Sequence, residues 1–220
     1  MFKIDEFISS INKSGFVRTN RFVVFFALPE YLRGRESEYG YNDKLISLRC
    51  ESAQFPGIAF GSIDGPPRLG YGAVESIPYN VTFEDISLTF LVDAHTRIHK
   101  LFYDWVNTIV NFQGSKGQSD WKRPTNTITN AAAYEVGYKD KYRTDILVTV
   151  YDSDDKQIMT VKVYNAFPKI LPSTDLAWGS NDELMKMTIP FSFTDFNVTY
   201  HRSDQIFGTT PNVPQQTPTT

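Results

Sequence analysis

Two stretches of alternating apolar residues constrain the fold more than any other feature of the chain. In Val81–Val92 the apolar positions are Val81 and Phe83, then Ile86, Leu88, Phe90 and Val92, so the alternation slips by one residue at Glu84-Asp85. In Met185–Tyr200 they are Met185, Met187, Ile189, Phe191 and Phe193, then Phe196, Val198 and Tyr200, with one slip at Thr194-Asp195. Side chains alternate across a strand, so a one-residue slip moves the apolar set to the other face. Such a slip marks a β-bulge, or a strand that passes from one sheet to another. Strands of 12 and 16 residues that bend this way belong to barrels and orthogonal sandwiches.

The rest of the chain supplies the partners these strands need. Arg21–Leu28 is aromatic and β-branched throughout and predicts a buried strand, and Leu45–Ser52 predicts a second. Thr144–Tyr151 and Lys156–Tyr164 flank the acidic turn Asp152-Ser153-Asp154-Asp155, the pattern of a β-hairpin. One helix is expected: after Asp93, the residues Ile98, Leu101, Phe102, Trp105 and Ile109 form a single apolar stripe, with Gly114 just past the end. That stripe is expected to be core, covering a sheet face. Phe2, Ile4, Phe7, Ile8 and Ile11 predict a short amphipathic helix over 2–11, ended by Ser14-Gly15.

Between these elements, residues 29–43 form a polar insert and 114–142 a weakly patterned one. Residues 56–80 hold five glycines and four prolines and predict a long excursion of turns. Loops of that length are usually functional or disordered. One β domain over 1–207 is expected, followed by a flexible tail over 208–220, where three prolines and five threonines leave almost no apolar residue.

Composition removes whole function classes. The chain has 220 residues, 41% of them hydrophobic and 15% aromatic, enough to build a core without staples. Its 22 basic and 25 acidic residues give a net charge of −3, which argues against a dedicated nucleic-acid binder. The single Cys50 cannot form an internal disulfide. No apolar run approaches the ~20 residues of a spanning helix, and Asp5 and Glu6 interrupt any signal peptide. A soluble, intracellular protein is expected, with no membrane partner.

No catalytic or metal constellation emerges. His95 and His99 have the spacing of two zinc ligands, but Thr96-Arg97-Ile98 between them lacks the general-base Glu and adds a repelling Arg. The acidic turn fails the EF-hand order at Lys156. Gly70-x-Gly72 lacks the third glycine of a dinucleotide fingerprint, and neither a Walker loop nor a Gly-x-Ser-x-Gly elbow occurs. Cys50 is expected to be a small buried hydrophobe. Asn80-Val-Thr and Asn197-Val-Thr, which match the glycosylation acceptor, fall in predicted strands and read as chance matches. Trp105, Trp121, Trp178 and the twelve tyrosines could line a sugar-binding surface. Trp105 reads better as core, and Trp178 as core or interface. No enzyme activity and no cofactor are expected.

The order of motifs is more specific than any single one. Ser14-Gly-Phe-Val-Arg-Thr-Asn-Arg-Phe leads into the first strand, and Leu48-Arg-Cys-Glu-Ser-Ala-Gln-Phe-Pro-Gly-Ile leads into the glycine-rich excursion. Asn80-Val-Thr-Phe-Glu-Asp-Ile-Ser-Leu-Thr-Phe follows, then a helix with Phe102-Tyr-Asp-Trp105. Tyr164-Asn-Ala-Phe-Pro, Leu176-Ala-Trp-Gly-Ser-Asn-Asp-Glu and a Thr/Phe-rich strand close the series. Over most of 12–200 this resembles the tail tube proteins of contractile-tailed bacteriophages of the T4-like kind. The resemblance implies a mainly β fold of two packed antiparallel sheets, as a sandwich or partly open barrel, with one flanking helix. It also implies six copies closing into a ring, rings stacked into a hollow tube, and DNA ejected through it. The implied setting is the virion tail, assembled in the host cytoplasm, with sheath, baseplate and tape measure proteins as partners. The inserts at 29–43 and 114–142 and the tail beyond 200 depart from a short tube subunit, and leave a baseplate tube initiator of the same fold as an alternative. A lectin-like β binding module is the other.

Two surfaces are expected to serve assembly. The excursion containing Pro56, Gly57, Gly61, Gly65, Pro66, Pro67, Gly70 and Gly72 is expected to mediate contact between stacked rings. The lumen is expected to be lined by small polar and acidic side chains, with Thr82, Glu84, Asp85, Ser87, Thr89, Thr188, Ser192 and Thr194 as candidates. The sequence leaves open which of these face inward, and Lys186 fits worst. DNA in transit would not be specifically bound, because a basic wall would hold it through counterion release.

Overall fold

The computed structural model of the chain describes residues 4, 8, 9, 16–40, 43–65, 73–112, 134–174, 176–179 and 183–201, the side chains of 43–45 apart. In chain order the strands are β1 (Phe22–Phe26), β2 (Cys50–Ala53), β3 (Ile58–Gly65), β4 (Glu75–Phe83), β5 (Ile86–Leu91), β6 (Thr144–Tyr151), β7 (Gln157–Pro168), β8 (Lys186–Ser192) and β9 (Asp195–Tyr200). The helices are α1 (Glu36–Tyr39), α2 (Asp43–Arg49), α3 (Arg97–Ile109) and α4 (Lys139–Tyr142).

Seven strands run β1-β6-β7-β8-β5-β2, with β9 paired to β7, and every pairing is antiparallel. They form two sheets that share β7. Its first part lies between β6 and β9, from Met159↔Tyr200 to Tyr164↔Asp195, while Phe167 and Pro168 pair with Ser192 and Phe191 of β8. The crossing occurs at Asn165, whose φ of 57° is left-handed, where the β6 register breaks between Thr144 and Ile146. Asn adopts this region at less cost than other side chains. Here the Arg143 guanidinium donates to Asn165 Oδ1 at 2.6 Å, and Asn165 N–H donates to Asp145 Oδ1 at 3.2 Å.

The inner faces meet as one core. Val24 and Phe26 come from β1, Ile146 and Val148 from β6, Val161 and Val163 from β7, Ile86, Leu88 and Phe90 from β5, and Met187, Ile189 and Phe191 from β8. Helix α3 closes this core with Ile98, Leu101, Phe102 and Trp105, all buried. Phe102 stacks on Trp105 at 5.9 Å, and Trp105 meets Phe26 at 5.7 Å and Phe191 at 5.9 Å, so one helix face touches both sheets. The mainly β sandwich with a flanking helix is the fold expected above.

Both long stretches end in separate sheets. Val81–Val92 is β4 followed by β5, and Met185–Tyr200 is β8 followed by β9, with breaks at Glu84-Asp85 and Phe193-Thr194. The slip therefore marks a change of sheet, because each half must present its apolar set to a different neighbour.

Several expectations are corrected. Leu45–Ser52 is not a strand: α2 occupies its first part and only Cys50–Ala53 is extended. Its short apolar pattern fits either period. The helix wins by burying Ile46, leaving Leu48 79% exposed, and placing Arg49 3.1 Å from Asp93. The polar insert 29–43 contributes Leu32 and Tyr39 to the core, through a 3-10 turn at Glu30–Leu32 and α1. Residues 56–80 are not a string of turns: β3 and β4 form a hairpin there. Ile109 is half-buried, and Asn107 and Thr108 are buried instead, where 134–138 crosses the helix end through the Val110↔Val136 bridge. A Cβ on Gly137 would stand 2.5 Å from Thr108 O, so only glycine permits that approach. Ile4, Ile8 and Ser9 are helical. The rest of the 2–11 helix, Gly114, Trp121 and the 208–220 tail lie outside the described residues.

Candidate assembly surfaces

The β3–β4 hairpin pairs only with itself among the described residues and is exposed along almost its whole length. Ile58 faces Phe83 and Phe60 faces Val81, so near its base the ribbon carries one apolar face. The opposite face holds Ala59, Gly61, Asn80 and Thr82. A register shift after Gly61 gives β4 one extra residue, at Tyr79, and beyond it Ile63 pairs with Ile77. Phe60 is 64% exposed and Tyr79 69%. At its base the apolar face joins the body through Phe83, whose ring meets Phe193 at 5.9 Å and Phe196 at 5.4 Å.

A two-stranded hairpin alone is marginal in water, and an apolar face left in solvent marks a contact surface. Of the residues expected to join rings, Pro56 and Gly57 lie at the base of β3, and Gly61 and Gly65 lie within it. Gly61 lies beside the bulge, where a Cβ would require the Asn80 side chain, 2.0 Å away at Oδ1, to move. Pro66, Pro67, Gly70 and Gly72 lie outside the described residues.

The second surface is the face of β2, β5 and β8 turned away from the core. Ser87 and Thr89 of β5 alternate with buried Ile86, Leu88 and Phe90, and Thr188 and Ser192 of β8 alternate with buried Met187, Ile189 and Phe191. Thr89 pairs with Thr188, and their hydroxyls are hydrogen-bonded at 2.9 Å. Asp85 stands two residues before Ser87 and binds Lys169 at 2.8 Å. Lys186 binds Glu51 at 2.5 Å. Four candidate lumen residues thus share one face, with Asp85 at its margin. The others sit elsewhere: Thr82 is on the ribbon and donates to Ala59 O at 3.2 Å, Glu84 is beside Gly57, and Thr194 is at the β8–β9 corner, bonded to Lys139. Sequence reasoning missed Glu51, because a partner from a distant strand leaves no local signal.

The groups weighed for chemistry have structural employment. Arg21 Nη1 donates to Asp152 O at 3.3 Å, Ser153 O at 3.1 Å and Asp155 Oδ1 at 2.8 Å, so the acidic hairpin tip holds a guanidinium. His99 stacks on Tyr103. Cys50 is buried at the α2–β2 junction, and burial pushes its thiol up to about 12. Burial, with the Asp104 carboxylate accepting a hydrogen bond from its hydroxyl, raises Tyr39 as well. Among the described residues no three His, Cys, Asp or Glu side chains gather as a metal site, and no helix is long and apolar enough to cross a membrane. Trp178 is fully exposed, beside a groove lined by Leu176, Leu184 and Met185.

The family model for the phage tail tube protein matches residues 17–199. The chain belongs to the phage tail tube protein family. This is a structural family of tail components, in keeping with a chain in which the groups just described hold one another. No curated protein matches the sequence. Among solved structures, a chain of the anti-feeding prophage baseplate is similar at a TM-score of 0.57 and 10% identity, over 86% of this chain and 99% of that one. A chain of the sheath-tube complex of an extracellular contractile injection system, PVC, is similar at 0.52 and 18%, over 87% and 97%. A chain of the anti-feeding prophage cap gives 0.51 and 19%, over 84% and 91%. At these identities the likeness is one of fold. It spans nearly the whole of each neighbour, so the tail tube protein fold accounts for most of this chain.

Proposed function

We propose that the chain is a tube subunit of a contractile phage tail, six copies closing into a ring and rings stacking into a hollow conduit through which DNA is ejected. The observation that carries this reading is the β3–β4 ribbon, whose apolar face beyond Phe83 is left uncovered by the described residues of the subunit. A neighbouring copy supplies that cover, and contact between non-equivalent patches of successive rings propagates without limit. The edges of β1, β2 and β9, which pair with no further strand among the described residues, are the second need for neighbours, since unpaired edges invite aggregation unless another chain covers them. Ring closure removes them. Sheath and baseplate proteins then bind the outside and ends of the tube, and the tape measure protein and DNA occupy the lumen in the virion, after assembly in the host cytoplasm.

A baseplate tube initiator is the second reading, favoured by the similarity to a chain of a six-fold symmetrised baseplate. Negative-stain microscopy of the purified protein separates the readings. A shaft subunit gives long tubes, an initiator gives single rings or short stacks, and discrete small particles count against both. Deleting residues 61–74 is expected to leave a folded subunit that forms no tubes. Unimpaired tube growth after that deletion would remove the part of the ribbon beyond Phe60 from the ring contact.

A further inference from the structure

We propose that Phe83, Phe193 and Phe196 form a clamp that fixes the direction in which the β3–β4 ribbon leaves the body, so that the subunit offers its ribbon to a neighbour already aimed. The inference rests on the assembly reading and carries it from a surface to the residues that orient that surface. The ribbon continues the β2–β5 pair across a gap. Gln54 N–H donates to Ser87 O at 2.9 Å on the body side, and Glu84 N–H donates to Gly57 O at 3.0 Å on the ribbon side. Between these bonds, Phe55 and Pro56 form no strand pairing with Asp85. Pro56 has no N–H with which to continue the ladder. A ladder interrupted on both strands is a joint, and side chains must set its angle.

Three rings stand at that joint. Phe83, the last residue of β4, stacks on Phe193 at 5.9 Å and meets Phe196 edge-on at 5.4 Å. Phe193 and Phe196 meet edge-on at 6.0 Å, so each ring meets the other two. Ring pairs of this kind prefer particular orientations, which makes them suited to fixing an angle. The two body rings are themselves held. Both pack against the core, and between them Thr194 N–H donates to Tyr164 O at 3.1 Å, which ties the β8–β9 corner to β7. Phe83 differs. At 39% exposure it is no main support of the core, and its pairing with Ile58 makes it part of the ribbon. The two phase slips bring the rings together, since Phe83 precedes one and Phe193 and Phe196 flank the other. A ribbon already held in its bound direction has less freedom to lose on association, which strengthens a contact without enlarging it.

The test reads the ribbon's direction in dilute, unassembled subunits. Nitroxide labels are attached at Ser62→Cys on the ribbon and Asp154→Cys on the β6–β7 turn, both exposed, with the buried Cys50 left in place. Their separation is measured by pulsed dipolar spectroscopy in the parent and in Phe83→Ala, Phe83→Leu and Phe83→Tyr. One narrow distance peak is expected for the parent and for Phe83→Tyr, which keeps the ring. A broad distribution is expected for Phe83→Ala and Phe83→Leu, with Tm near the parental value. In unlabelled protein, the concentration at which tubes appear is expected to rise by about tenfold or more in Phe83→Ala and to return in Phe83→Tyr. A distance peak as narrow in Phe83→Ala and Phe83→Leu as in the parent would overturn the proposal, as would a broad one in the parent. So would a collapse of Tm in both variants, which would make the ring a core residue, or a freed ribbon with unchanged onset of tube growth. A parent that forms no tubes counts against the assembly reading instead, and the distance measurement still decides whether the three rings hold the ribbon.

Discussion

Trp105 is fully buried, stacks on Phe102 and donates its indole N–H to Tyr142 O at 2.7 Å, so one side chain ties the helix, both sheets and the α4 turn. Trp105→Ala is expected to cost about 3–5 kcal/mol and to give insoluble protein. A soluble variant with near-parental Tm would show the stripe to be less essential than its burial indicates. Asp93 acts through charge. Burial alone would raise its carboxyl, but the Arg49 guanidinium and the Arg97 N–H outweigh burial and hold it below its ordinary 3.8. A depressed carboxylate contributes stability that is present above the unfolded value and is lost as pH falls through the folded one. Asp93→Asn is therefore expected to lower stability by about 1–3 kcal/mol near neutral pH. Its deficit against the parent should shrink as pH falls below 3.8. Urea titrations across that range would read it, and a deficit independent of pH would assign the effect to packing.

Strand β7 is the element on which the two sheets depend, and its crossing at Asn165 is where a backbone rule can be tested. A β-branched residue tolerates a φ of 57° poorly, so Asn165→Val is expected to cost about 1–3 kcal/mol in urea unfolding. Asn165→Gly keeps the conformation and loses only the Arg143 contact, so it should fall well short of that cost. Equal losses in the two variants would place the importance of Asn165 in its side-chain bonds. The motif Tyr164-Asn-Ala-Phe-Pro holds this crossing, although nothing in its spacing announces a change of sheet.

For the whole molecule, the sandwich buries its own core while the ribbon remains outside it, so folding and assembly are separable. Replacing Phe60 and Tyr79 together by Asp is expected to leave the circular dichroism and Tm of the subunit near parental values. Tubes or stacked rings should then be absent by sedimentation and microscopy. A collapse of Tm would instead mean that the ribbon face packs on its own subunit, contrary to its exposure.

Alternation and helical spacing were legible because they are local: each strand must present every second residue to the core, and α3 must present one stripe. The phase slips, the 144–164 hairpin and the buried Ile98, Leu101, Phe102 and Trp105 all follow from residues within a few positions of one another. What tertiary structure alone decided was long-range or ambiguous in period. Residues 43–49 became helix because Ile46 and Arg49 found partners on β1's side of the core and at Asp93, not because their own pattern required it. The ribbon was hidden by the glycines and prolines of 56–80, which read as turns, although Gly61 and Gly65 lie within β3 and Pro78 within β4. The polar face of β2, β5 and β8 shows the same limit. Its threonines and serines were visible as alternating polar residues, but the pairing of Lys186 with Glu51 joins strands 135 residues apart. Only the folded sheet brings those charges together, and their neutrality is a property of the pair, not of either residue.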